Sequence, residues 1–158
     1  EIHAGIDYLA GQLPSLGAQD GGIVVSGWSA GGHLTAMALS HPKVRAGLGI
    51  SGIYDLEPIR HSYLNVKLAL DKAMSHRNSP LAQAGGPMKP LSLVVGDAEL
   101  LLLRKQTADF AAHRARHGLP VTYEEIPGVN HFTIMNEMMS PEGRITTLIR
   151  QLFERTGG

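Results

Sequence analysis

Apolar residues in the first dozen positions fall at Ile2, Ile6, Leu9 and Leu13, a helical spacing that stops at Pro14. Residues 15–22 are rich in turn formers and read as a loop. Ile23-Val24-Val25 is a short β-branched run bounded by glycines, and Leu34, Met37 and Ala38 then open a helical pattern that ends at His41-Pro42. Residues 44–51 supply a second strand and 91–95 a third. Between those two strands Pro58, Pro80, Pro87 and Pro90 interrupt any long element, so the stretch around 54–88 is expected to pack over the sheet edge as a small cap. The pattern is helical again over 104–117, Gly118-Leu119-Pro120 stops it, and 121–126 forms a fourth strand. Ser140-Pro141-Glu142 is expected to start a last helix with a cap residue and a proline in its first turn, with Ile145, Leu148, Ile149 and Leu152 facing inward. Strands that alternate with helices in this way predict a mostly parallel α/β sheet covered by helices on both faces.

A chain of 158 residues can bury one sizeable core and is too short for two ordinary domains, so 1–158 is expected to be a single domain or part of one. Its 14 basic residues balance 14 acidic ones, which argues against nucleic acid or an anionic membrane as partner and suits a small, roughly neutral substrate. No apolar run is long enough to span a membrane and the first residues lack a basic-then-apolar leader, so the chain reads as soluble, with the cytoplasm as default. The absence of cysteine excludes disulfides, thiolate metal sites and a cysteine nucleophile. No metal or cofactor is expected.

Chemistry enters at Gly27-Trp28-Ser29-Ala30-Gly31, a G-x-S-x-G sequence that lies directly after a predicted strand and directly before a predicted helix. That placement exposes a serine hydroxyl on a sharp turn, with glycines leaving room for the neighbouring strand and helix. The N–H of Ala30, at the mouth of the helix, would then point at a developing oxyanion. A phosphate-binding turn is the competing reading. It fails because the lysine of G-x-x-x-x-G-K-[ST] is missing and because Gly27, Gly31 and Gly32, the glycines here, do not make G-x-G-x-x-G.

A serine nucleophile in this setting needs an acid and then a histidine further along the chain. His131, in the loop Gly128-Val129-Asn130-His131-Phe132 after the fourth strand, is the best placed of eight histidines. His113 and His117 are expected on a polar helix face, His41 at a solvated helix end, His3, His61 and His76 at the periphery, and His33 turned away from the serine or packed locally. After the third strand, Asp97 and Glu99 are both candidates for the acid that orients the imidazole, and the residues alone do not choose between them.

Several of these motifs together resemble the kynurenine formamidase (arylformamidase) branch of the α/β hydrolases, near the hormone-sensitive-lipase-like esterases. The matching stretches are Gly27 through Leu34, Ser51-Gly52-Ile53-Tyr54-Asp55-Leu56-Glu57-Pro58, Ser62-Tyr63-Leu64-Asn65, Ser79-Pro80 and Gly128 through Phe132. The resemblance implies an α/β-hydrolase fold, Ser29 as nucleophile, His131 as base and no metal. For the acid it favours Glu99, which stands four residues after the strand's last valine and shortly before Lys105-Gln106-Thr107, similar to an Arg-Gln-Ser/Thr in those proteins. It also implies hydrolysis of an N-formylkynurenine-like aryl formamide, a reaction of tryptophan catabolism, with short-chain carboxylesters as the close alternative. Nothing before Gly27 resembles the His-Gly-Gly segment that supplies further oxyanion donors in such enzymes. The chain therefore reads as the carboxyl-terminal portion of such a domain, lacking its N-terminal strands. A non-catalytic fragment with an incomplete oxyanion hole and association of copies through an exposed sheet edge are the further expectations.

Overall fold

Four strands pair in the order in which they occur along the chain: β1 (Ile23–Trp28), β2 (Val44–Ile50), β3 (Leu91–Gly96) and β4 (Val121–Ile126), all parallel. The structure is a computed structural model and describes residues 1–18, 22–83 and 85–157. Residues 19–21 of the expected first loop, 84 of the expected cap and 158 lie outside these. The helices are α1 (Ile2–Gln12), α2 (Ala30–Ala38), three short ones, α3 (Glu57–Arg60), α4 (Asn65–Leu68) and α5 (Lys72–Asn78), then α6 (Leu101–Arg116) and α7 (Arg144–Arg155).

The sheet separates two apolar layers. On one face Ile6 of α1, Ala38 of α2 and Phe110 and Ala111 of α6 pack on Leu91 and Leu93. On the other, Ile145, Leu148 and Leu152 of α7, with Ile134, pack on Ala46, Leu48, Ile50 and Val94. A shift of register between Ile23 and Val24 turns β2 so that Val44 joins the first layer and Ala46 the second. From there β2 alternates glycine with larger residues, because Thr35, Leu39 and Leu91 crowd Gly47 and Tyr54 lies over Gly49. A Cβ on Gly49 would meet the Tyr54 hydroxyl at 2.4 Å. Tyr54 is fully buried and its ring stacks on Phe110 at 4.7 Å.

Several sequence expectations change here. The segment between β2 and β3 sends Tyr54 and Leu81 into the layer shared by α2 and α6. Helix α6 begins at Leu101 rather than 104, in a turn where Leu103 and Arg104 both donate to the Leu100 carbonyl. Helix α7 begins at Arg144, not at Ser140-Pro141: the Glu137 carboxylate, reaching from a 3₁₀ turn at Thr133–Met138, accepts the Arg144 N–H at 2.9 Å and supplies the cap instead. The inward face read for that helix is right for Ile145, Leu148 and Leu152. On α1 only Ile6 is fully buried, since the stripe meets the core there and near Ala10 and Leu13, leaving Ile2 and Leu9 exposed. His41 is not solvated. It is 4% exposed, its Nδ1 accepts the Lys43 N–H, and Nε2, which must then carry the proton, donates to Asp7 at 3.1 Å.

Candidate active site

In a parallel sheet the loops that leave the carboxyl ends of the strands meet along one rim, and the candidate residues come from three such loops. Ser29 occupies the turn between β1 and α2 with φ 56° and ψ −118°, a conformation rare outside glycine. The turn is held from two sides. The Ser29 N–H donates to the Ile50 carbonyl at 2.9 Å, and its own carbonyl accepts the Gly32 N–H at 2.9 Å at the start of α2. Gly27 is obligatory for that geometry: a Cβ there would stand 2.2 Å from the Gly31 carbonyl oxygen. Ala30 is the first residue of α2 and is exposed, so its N–H belongs to the unpaired set at a helix N-terminus.

Histidine 131 follows β4. Its Nε2 lies 3.1 Å from Ser29 Oγ, and its Nδ1 lies 3.1 Å from Glu99 Oε2. The Glu99 side chain has no exposed surface, whereas the His131 ring is 23% exposed, so the acid is sealed and the base faces outward. A buried carboxylate needs donors on both oxygens, and the second comes from the Ser51 hydroxyl, 2.5 Å from Oε1. The histidine loop is itself braced. Asn130 Oδ1 accepts the N–H groups of Phe132 and Thr133, and the Trp28 indole N–H donates to the His131 carbonyl at 2.8 Å. The Trp28 ring lies 4.9 Å from the imidazole, centroid to centroid, and Phe132 stands beside both with 74% of its surface exposed.

The structure thus brings together Ser29, His131 and Glu99, with Ala30 next to the serine. It does not bring in Asp97, which is exposed and accepts the Gly128 N–H at 2.7 Å, tying the end of β3 to the start of the histidine loop. His33 is turned to the Asn78 carbonyl at 2.7 Å, and the rings of His113 and His117 lie tilted against each other, 4.4 Å apart, at the carboxyl end of α6. Ser51, Trp28 and Gln106 have contacts at or beside the site that the sequence reading did not assign. Trp28 lay inside the motif as its unspecified position, and Gln106 and Ser51 lay in matched stretches, but nothing local marks the hydroxyl of Ser51 as a donor to a residue 48 positions away.

A parallel sheet with a serine on a strained strand-to-helix turn, facing a histidine after the last strand, is the α/β-hydrolase fold. Solved structures agree. The chain superposes on an acetyl ester-xyloside bifunctional hydrolase from Caldicellulosiruptor lactoaceticus with a TM-score of 0.77 at 19% identity, over 98% of this chain and 64% of that one. On an acylaminoacyl peptidase of Pyrococcus horikoshii the TM-score is 0.75 at 22% identity, over 96% of this chain and 26% of the other. In sequence the chain is similar to the kynurenine formamidase of Salmo salar, 31% identical, and to that of Danio rerio, 29% identical, each alignment covering 85% of this chain. It spans about half the length of these relatives, 51% and 50%. No family model matches the chain. Among the described residues, no helix is long and apolar enough to cross a membrane.

Proposed function

We propose that the chain carries the catalytic half of a serine hydrolase that cleaves an aryl formamide of the N-formylkynurenine type. The observation that carries this reading is the unbroken chain of contacts from Ser29 Oγ through His131 to a fully buried Glu99. In that arrangement His131 Nε2 takes the Ser29 proton as the serine oxygen attacks the formyl carbon, and the Ala30 N–H stabilises the resulting oxyanion. Glu99 holds the imidazole in the tautomer with Nδ1 protonated and offsets the charge of the imidazolium. Collapse of the intermediate breaks the C–N bond, and the same proton passes to the departing arylamine. Water, deprotonated by His131, then attacks the formyl-serine, the bond from carbon to Ser29 Oγ breaks to release formate, and His131 returns the proton to Ser29 Oγ. The formamide is favoured over other acyl substrates by the likeness to the two fish kynurenine formamidases. Short-chain esters are the second reading, favoured by the acetyl ester hydrolase that shares the fold.

Two measurements test the proposal. A fluorophosphonate should label Ser29 alone, and Ser29→Ala should abolish both labelling and turnover, a loss of several powers of ten. N-formylkynurenine should then show a higher kcat/KM than p-nitrophenyl butyrate. An ester preferred by about tenfold, roughly 1.4 kcal/mol of transition-state binding, replaces the formamidase reading with an esterase. A protein that reacts with neither substrate nor phosphonate is a non-catalytic fragment whose oxyanion hole is incomplete.

A further inference from the structure

The dipeptide Ile50-Ser51, at the carboxyl end of the central strand β2, touches both ends of the Ser29–His131–Glu99 array. The Ile50 carbonyl accepts the N–H of Ser29, and the Ser51 hydroxyl donates to Glu99 Oε1. Ser51 is fully buried and has φ 46°, one of three non-glycine residues with positive φ among those described, with Ser29 another. Such a conformation disfavours a residue with a Cβ and is retained where surrounding contacts demand it. Here the backbone contact is the Ser51 N–H, which donates to the Val94 carbonyl of β3 at 2.8 Å, and the side-chain contact is Glu99. The segment that follows is pinned in the same direction. Gln106, 5% exposed on α6, accepts the N–H groups of Tyr54 and Asp55 through Oε1 at 2.9 and 3.0 Å.

We infer that Ser51 is the positioning residue of the acid: its hydroxyl fixes the Glu99 carboxylate so that Oε2 alone faces His131. The chemistry requires something in this place. A carboxylate with no exposed surface has one oxygen on the imidazole, and its other oxygen, left without a donor, would bear the full cost of desolvation and be free to rotate towards the histidine. A glycine would relieve the backbone at position 51 and an alanine would fill its volume, but neither supplies a donor. The strained backbone and the hydroxyl are therefore one device: the left-handed turn aims Oγ across the gap between the loops that follow β2 and β3. Gln106 ties the loop after β2 to α6 through its side-chain oxygen and two backbone N–H groups, which makes it a control for docking of that loop without a hydrogen bond to the carboxylate.

This inference rests on the catalytic reading of Glu99 and His131, so its test includes a measurement that does not need turnover. In the parent protein the proton between His131 Nδ1 and Glu99 should give a low-field resonance by NMR, assigned by its loss in Glu99→Gln. Ser51→Ala and Ser51→Gly should both lose or broaden that resonance and lower kcat roughly ten- to a hundredfold with little change in KM, the scale of a hydrogen bond to a charged group. Ser51→Gly should lose less thermal stability than Ser51→Ala, since it relieves the backbone strain while both leave the carboxylate oxygen without its donor. Gln106→Leu should lower stability and keep the resonance. If the resonance survives in both Ser51 variants, or is absent from the parent, the inference is overturned. A parent that shows the resonance yet fails to react with a fluorophosphonate overturns the proposed hydrolase and not the role of Ser51.

Discussion

The two carboxylates after β3 differ by their partners and not by their sequence. Glu99 is buried on His131 and Ser51, while Asp97 is exposed on the Gly128 N–H. Glu99→Gln should cut kcat by up to about 10⁴, because an amide no longer selects the imidazole tautomer. Asp97→Asn should cost far less, since an asparagine oxygen can still accept the Gly128 N–H. Steady-state kinetics of the two variants settle the ranking, and the reverse order would move the acid to Asp97. Trp28 offers a finer case: Trp28→Phe keeps a ring against the imidazole but removes the donor to the His131 carbonyl. A loss of about 1 kcal/mol of loop positioning, roughly fivefold in kcat/KM, is expected, and an unchanged value would make that hydrogen bond incidental. The strand-to-helix turn at Ser29 was legible in the sequence because it is specified by residues within two positions of the serine. The choice of acid was not legible from the residues themselves, because Asp97 and Glu99 stand two apart in one loop and are told apart only by partners from other loops.

At the scale of elements, the strand-turn-helix unit around Ser29 depends on Gly27 more than on any helix propensity. Gly27→Ala forces a Cβ against the Gly31 carbonyl and should destabilise the protein by about 1–3 kcal/mol, read from the denaturant midpoint. A midpoint equal to the parent's would show that the turn can relax. The short helices between β2 and β3 carry a charge cluster of their own. Glu57 accepts two hydrogen bonds from Arg60, at 2.9 and 2.6 Å, and further ones from His61 and Ser75. The Arg60 hydrogen bonds lead in holding its carboxyl at about 2 against an ordinary 4.5. A folded-state value below the unfolded one stabilises above about 4.5, and that contribution fades as pH falls towards 2. The difference in urea midpoint between parent and Glu57→Gln should therefore shrink across this window; a flat difference removes Glu57 from the acid response. The first three strands were legible as short, mainly apolar runs, and β4, with two glutamates in it, by its β-branched and aromatic residues after the Gly118-Leu119-Pro120 stop. The start of α7 was not: Ser140-Pro141 is a valid local cap signal, but a carboxylate from the preceding 3₁₀ turn took the role.

Over the whole molecule the two edges of the sheet are unlike. On β4, Glu124 and Glu125 are paired with Arg144 and Arg104, charges that discourage a further strand. On β1 the run Ile23 to Trp28 carries no charge, and Ser26 is exposed. Association of copies should therefore proceed through β1. Light scattering should show mass rising with concentration, Ser26→Lys should suppress the rise, and Thr122→Lys on β4 should not. A monomer at every concentration would remove this edge as a contact.

The match between strand order and chain order also has a consequence in time. Synthesis delivers the chain from its amino terminus, and domains begin to fold as they emerge. Since β1 pairs with β2, β2 with β3 and β3 with β4, each new strand finds its partner already made. Ser29 thus sits on its turn and Ser51 at the end of β2 before Glu99 leaves the ribosome, and His131 arrives after all of them. On the proposed mechanism the serine hydroxyl has no base until the final quarter of the chain is in place. Nascent chains stalled after β3 should carry a finished nucleophile turn and stay inert to a fluorophosphonate, so that reactivity appears as a late event in the life of each molecule.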